Sequence, residues 1–221
     1  MFTITNEDCI TMMARYPDKH FQLAICDIPY GIDVNSMPLG SGKYQSDKKW
    51  DSAAPGAEYF KELFRVADKI ILWGANHYIS KIPYDSSCWL VWDKRNGDSD
   101  FADAELAWSN FDCPVRKFDF HLAQASRMEI KDRFHPTQKP ISLYRWCLSR
   151  FAQHGWRILD THLGSGSHAC AIDEVNKFEK MGLTLTASEI DAEYYEKALV
   201  KIAKHQQNET NLFSEIGSEN K

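Results

Sequence analysis

Apolar residues in this chain recur in two patterns that take turns, short strand-like runs and longer stretches with helical spacing. Phe2 to Thr5 alternates as a short strand does. Glu7 to Arg15 follows with helical spacing, and Asn6 is predicted to cap it. Phe21 to Cys26 reads as a buried strand that ends at Asp27-Ile28-Pro29-Tyr30. Ala57 to Ala67 predicts a helix, and Lys69 to Trp73 a strand. Ser87 to Trp92 and Glu105 to Ser109 are further strands. Pro140 suits the first position of a helix reaching Phe151. Arg157 to Asp160 predicts a strand, Ser167 to Lys177 a helix, Leu183 to Ser188 a strand and Ala192 to His205 a helix. Residues 31–55 and 110–134 are polar and irregular, and 206–221 read as a polar tail that frays.

Strands that alternate with helices predict an α/β fold with a doubly wound, mostly parallel sheet. The 221 residues suffice for one such domain, spanning 1–205. Ligands bind such sheets beyond the carboxyl ends of the strands. Two motifs fall at strand ends of that kind: Asp27 to Tyr30, and Asp160-Thr161-His162-Leu163-Gly164-Ser165-Gly166-Ser167.

Composition narrows the function classes. A net charge of −5 argues against nucleic-acid binding by the whole surface, though not by a local face. Two clusters offer such a face: Lys43, Lys48 and Lys49, and then Arg116, Lys117, Arg127, Lys131 and Arg133. Solvated surface is the equally ordinary reading of each. No C-x-x-C pair occurs among the six cysteines, so no zinc site is expected. The N-terminus has no signal-like segment and no apolar run reaches membrane-spanning length. A reduced, cytoplasmic protein is the expectation.

In the second motif, Gly164 and Gly166 permit a tight turn and close approach of a ligand to the backbone. Glu189 ends the next strand, where a carboxylate can accept both hydroxyls of a ribose, or simply face solvent. The third glycine of the dinucleotide pattern is missing, so a single-nucleoside cofactor fits better than NAD.

Together the strings resemble a known family. DTHLGSGS resembles the cofactor motif of the amino-methyltransferases. SEIDAEYYEKA resembles their second motif, His135-Pro136-Thr137-Gln138-Lys139-Pro140 matches their HPTQKP box, and Asp27 to Tyr30 resembles their D-P-P-Y catalytic motif. The order of these motifs is that of the β class of DNA amino-methyltransferases, a circularly permuted arrangement. The resemblance covers roughly residues 1–205 and implies a Rossmann-like fold that uses S-adenosylmethionine, without a metal. It implies cofactor contacts from Asp8, His135, Thr137, Lys139, Asp160, His162, Gly164, Gly166 and Glu189. For Asp8, a first-turn carboxylate favoured by the helix dipole is the alternative. Thr161 and His162 depart from the family's Pro-Phe. Ile28 departs from its first Pro.

The implied chemistry is methyl transfer to the exocyclic amino group of adenine in DNA. Asp27 and the backbone carbonyl of Ile28 would accept the two N–H bonds, Pro29 would hold Ile28 extended, and Tyr30 would stack the base. The base must leave the duplex or be single-stranded. The 31–55 loop is expected either to close over it or to be disordered. The 110–134 insert is short for target recognition and predicts a short or relaxed recognition sequence. A homodimer and a place in a restriction-modification system fit the resemblance. The alternatives are an RNA adenine or DNA cytosine amino-methyltransferase, or a non-catalytic cofactor-binding partner subunit.

Overall fold

The computed structural model describes residues 1–32, 51–97, 102–125, 133–134 and 137–218. Among the described residues eight strands form one sheet: β1 (Phe2–Thr5), β2 (Phe21–Asp27), β3 (Ala67–Trp73), β4 (Trp89–Asp93), β5 (Ala104–Ser109), β6 (Arg116–Asp119), β7 (Arg157–Asp160) and β8 (Thr184–Ser188), in the order β1-β8-β7-β2-β3-β5-β4-β6. The first five in that order run parallel. β5 is antiparallel to both β3 and β4, and β6 is parallel to β4. The helices are α1 (Cys9–Met13), α2 (Ala57–Val66), α3 (Ile141–Phe151), α4 (Ser167–Phe178) and α5 (Ala192–Ser218).

The period of two along the central strands divides the core. Leu23, Ile25, Ile71 and Trp73 pack with Leu143, Cys147, Ile172, Val175, Ala198 and Ile202 of α3, α4 and α5. Ala24, Cys26, Ile70 and Leu72 face the other way, onto Met12, Met13, Tyr59, Phe60 and Leu63 of α1 and α2. Helices on both faces explain why β2 and β3 are apolar on both. No helix among the described residues is long and apolar enough to cross a membrane.

Register then sets the edge that matters. Thr5 pairs with Ser188, Asp160 with Ala187, and Asp27 with Trp73; Ala24 pairs with Leu159. The carboxyl ends of β1, β8, β7, β2 and β3 therefore lie side by side. Because β5 runs the opposite way, its first residues, Ala104 and Glu105, return to this same edge, where they pair with Asp93 and Trp92.

Several local expectations change. The cap of α1 is Asp8, whose carboxylate accepts from the Ile10 and Thr11 amides, and the helix is shorter than predicted. Asn6 instead donates to the carbonyls of Glu189 and Ile190, tying β1 to the end of β8. Pro140 is the N-cap of α3, with extended backbone, rather than its first helical residue. Within 110–134 the chain forms β6, a strand carrying both Arg116 and Lys117. Phe118 anchors it, stacking on Phe120 and tilting against Trp146. Beyond His205, α5 continues to Ser218.

Leu63 is fully buried between α2 and the sheet. Leu63→Ala is expected to destabilise the protein by about 2–5 kcal/mol. Thermal unfolding should show a midpoint lowered by roughly 2–4 °C for each kcal/mol lost.

Candidate active site

Asp27 is the last residue of β2, and its side chain is about one-sixth exposed, at 17%. Its Oδ1 accepts from the Lys139 ammonium at 2.5 Å and from the Tyr30 hydroxyl at 2.8 Å. Among the described residues Oδ2 accepts no hydrogen bond. Lys139 also donates to the Tyr30 oxygen at 2.7 Å and pairs with Glu105 Oε2 at 3.0 Å. Its side chain is 1% exposed. The other Glu105 oxygen pairs with Lys94 at 2.6 Å. Two carboxylates and two ammonium groups thus meet at the strand ends with balanced charge.

Titration follows from this packing. Burial pushes the Asp27 carboxyl upward; Lys139 opposes this and Glu105 adds to it, leaving it above the ordinary aspartate value. Burial also raises Glu105, but Lys139 and Lys94 outweigh it and hold that carboxyl at about 2. Burial works against the Lys139 ammonium, yet Asp27 and Glu105 keep its pKa above the usual lysine range. Lys139 stays charged, and Glu105 is ionised at neutral pH.

The turn after β2 is held from two sides. Asp51 is buried, and its Oδ1 accepts from the amides of Tyr30 at 2.6 Å and Gly31 at 2.9 Å. Gly74, just past β3, has φ +74°, and a Cβ there would lie 2.0 Å from Tyr30 Cε1. The Tyr30 ring stacks on His77, with centroids 5.1 Å apart and planes 13° apart. Ile28 is buried, and among the described residues nothing donates to its carbonyl.

On the adjacent strand end, β7 delivers Asp160. Its Oδ1 accepts from the His162 amide at 3.0 Å, and Oδ2 lies 2.9 Å from Nδ1 of buried His168, which stacks on Tyr144. The two glycines of the turn serve different needs. A Cβ on Gly166 would press on Ile202 at 3.2 Å and Ala198 at 3.3 Å, so this glycine lets α5 approach α4. A Cβ on Gly164 would meet nothing nearer than 3.8 Å, so the backbone there faces open space. Glu189 Oε2 accepts from the Gly164 amide at 2.8 Å, and Oε1 from the Asp191 amide at 2.9 Å. Each oxygen keeps a second lone pair for a ligand. His162 lies edge-on to Tyr59 and bonds Thr161, whose hydroxyl also meets the Tyr59 hydroxyl at 2.7 Å. Burial drives the His162 ring down to about 4, leaving it neutral.

Solved structures share this fold. M1.HpyAVI in complex with S-adenosylmethionine is 15% identical, and the match covers 91% of this chain and 100% of that chain at a TM-score of 0.56. TTHA0409 of Thermus thermophilus, described as a putative DNA modification methylase and solved with S-adenosyl-L-methionine, is 14% identical over 93% of this chain and 94% of its own, with a TM-score of 0.57. The cytosine-N4-specific PvuII DNA methyltransferase is 9% identical over 90% of this chain and 86% of its own, with a TM-score of 0.58. The chain has the Rossmann-like fold of the S-adenosylmethionine-dependent methyltransferases. No protein-family model matches the sequence.

Within this methyltransferase fold the expected site residues divide. Asp27, Ile28, Pro29 and Tyr30 sit beside the Gly164 turn on neighbouring parallel strands. Asp8 is engaged as a helix cap, Asp160 braces the turn from below, and Lys139 lies on Asp27. Thr137 is half-buried in the segment that leads to Lys139. Arg116 and Lys117 lie in β6; Lys117 is bound to Asp93 at 3.2 Å and Asp119 at 2.8 Å, which ties up its charge. Arg133 is half-buried. Lys43, Lys48, Lys49, Arg127, Lys131 and His135 lie outside the described residues.

Sequence reading missed Glu105, Lys94, Asp51, Gly74, His77 and His168.

Gly74→Ala should drive the Tyr30 ring from its seat and destabilise the fold by about 1–3 kcal/mol or more, as overpacking does. An unchanged denaturation midpoint would contradict the close approach. His162 has a second consequence. Its folded pKa of about 4 lies below the ordinary histidine value of 6.5, so the unfolded chain binds the proton more readily. Its contribution is complete above pH 6.5 and is lost as pH falls toward 4, by up to about 3 kcal/mol. Denaturant titrations across that range should show a flatter loss for His162→Phe than for the parent protein.

Proposed function

We propose that the protein transfers a methyl group from S-adenosylmethionine to the exocyclic amino group of a nucleobase, adenine in DNA being the favoured substrate. One observation carries this reading: an anchored carboxylate with an unused oxygen and an unused backbone carbonyl, at Asp27 and Ile28, stand one strand away from an open glycine turn. An amino group has two N–H bonds, and these are two acceptors for them.

The residues present suit the cofactor. Gly164 leaves room against its backbone, and Glu189 has lone pairs to spare for ribose hydroxyls. When bound, S-adenosylmethionine supplies an electrophilic methyl. Asp27 Oδ2 and the Ile28 carbonyl draw the amino hydrogens into one plane and turn the nitrogen lone pair toward that methyl. The Asp27 charge would favour the positive charge that builds on nitrogen as the methyl–sulfur bond breaks, and the nitrogen then gives up one of its two protons to Asp27 or solvent. The Tyr30 face opposite His77 stacks a base that has left the duplex, offsetting part of the few kcal/mol that extrusion costs.

Adenine is favoured because Asp stands at position 27, as in the family's D-P-P-Y enzymes. The likeness to PvuII methyltransferase gives cytosine N4 as the second reading. With Lys117 committed to its own strand neighbours, a short or relaxed recognition sequence fits the few basic groups of the 110–134 insert, and a second copy of the chain would add contact area.

Labelled-methyl incorporation into duplex DNA, single-stranded DNA and RNA tests the proposal. The parent protein should label DNA at adenine N6. Asp27→Ala should retain S-adenosylmethionine binding by calorimetry while losing roughly 100-fold or more in transfer. Cofactor binding without transfer to any of these acceptors would instead mark a partner subunit.

A further inference from the structure

We propose that Glu105 is a positioning residue for methyl transfer: it holds the Lys139 ammonium so that this cation orients Asp27 without cancelling it. The inference rests on the methyl-transfer reading above and adds to it a residue that no motif contains.

An ammonium has three N–H bonds. Those of Lys139 have three acceptors within 3.0 Å: Asp27 Oδ1, the Tyr30 oxygen and Glu105 Oε2. The Tyr30 hydroxyl in turn donates to Asp27 Oδ1 at 2.8 Å, with Glu105 Oε2 a more distant acceptor at 3.3 Å. One Asp27 oxygen is therefore pinned by two donors, and the carboxylate plane is fixed with Oδ2 outward. That order has an electrostatic cost. A fully buried cation next to Asp27 opposes the positive charge that must build on the amino nitrogen. Glu105 offsets it from the far side of the ammonium, at the start of antiparallel β5, and Lys94 in turn keeps Glu105 ionised.

Other groups around Asp27 do not substitute. Tyr78 lies beyond β3, and its hydroxyl donates to the Trp73 carbonyl; Tyr144 is on α3. Burial, and next the Asp27 charge, hold both phenols well above their ordinary range, so each stays neutral. Glu105 is thus the counter-charge to Lys139 besides Asp27 itself among the described residues.

The test combines Glu105→Gln, Lys139→Met and the double variant. Glu105→Gln should lower kcat about 10- to 100-fold, with the KM for DNA and the Kd for S-adenosylmethionine changed less than about threefold. In the Lys139→Met background the same substitution should cost nothing further, because Glu105 acts through that ammonium. The acid limb of the kcat–pH profile should move down in Glu105→Gln, where the ammonium bears on Asp27 alone, and up in Lys139→Met. Carbon-13 carboxyl NMR of Asp27 reads the same two opposite movements without turnover. A merely structural role for Glu105 would lower activity in both backgrounds and leave the acid limb in place, which overturns the proposal, as does full kcat in a folded Glu105→Gln. If Glu105→Gln fails to fold, the double variant, which has no buried ammonium at 139 to satisfy, carries the comparison with Lys139→Met. A parent protein that labels no nucleic acid overturns the methyl-transfer reading itself, and is told apart by that control.

Discussion

A buried ammonium has to be matched by buried negative charge, and at Lys139 this constraint gathers the site. Burying an unpaired charge costs several kcal/mol, so a fully enclosed lysine persists only with anions in hydrogen-bond reach. The chain supplies them from two places far apart in sequence, Asp27 and Glu105, with the Tyr30 hydroxyl between them. Lys94 then balances the second carboxylate. Removing any one of the four leaves the others with uncompensated charge. The cluster fixes the side-chain geometry of Asp27 more firmly than the strand end alone would.

The glycine turn follows another logic. Asp160 and Glu189 accept first from backbone amides, those of His162 and Gly164 in the glycine turn and that of Asp191 just past β8. Rigidity comes before binding here. A turn held by two carboxylates stays open at Gly164 without a ligand to shape it, which lowers the ordering cost of binding. His162 fits the same scheme as a partly buried neutral ring against Tyr59.

Much of the sheet was legible because burial on both faces writes itself as apolar runs, and β2, β3 and β7 were read from them. The Asp27–Tyr30 and Gly164–Gly166 strings were legible because each needs particular residue types at a strand end. Glu105 was not, since a single acid in a strand gives no periodic signal and its partners lie 11 and 34 residues away in the chain, at Lys94 and Lys139. Asp51 and Gly74 were hidden for the same reason: each acts on Tyr30 from a distant segment. Strand β6 carries too few apolar residues to announce itself and is held by Phe118 packing. At α1 the choice between Asn6 and Asp8 as cap was decided by tertiary contacts, because Asn6 is taken by the end of β8.

The reversal at β5 is what completes the site. Five parallel strands alone would bring Thr5, Ser188, Asp160, Asp27 and Trp73 to one edge, and so the glycine turn beside the Asp27–Tyr30 turn. They would not bring Glu105 to Lys139, because in a parallel β5 the first residues would lie at the opposite edge. Running β5 antiparallel places its first residues, not its last, next to Trp73 and Gly74, where the Gly74 amide donates to the Leu106 carbonyl. Glu105 reaches Lys139 from there, and β4, antiparallel to β5, ends at the same edge and delivers Lys94. The mixed part of the sheet is therefore the part that lets a buried lysine sit against Asp27.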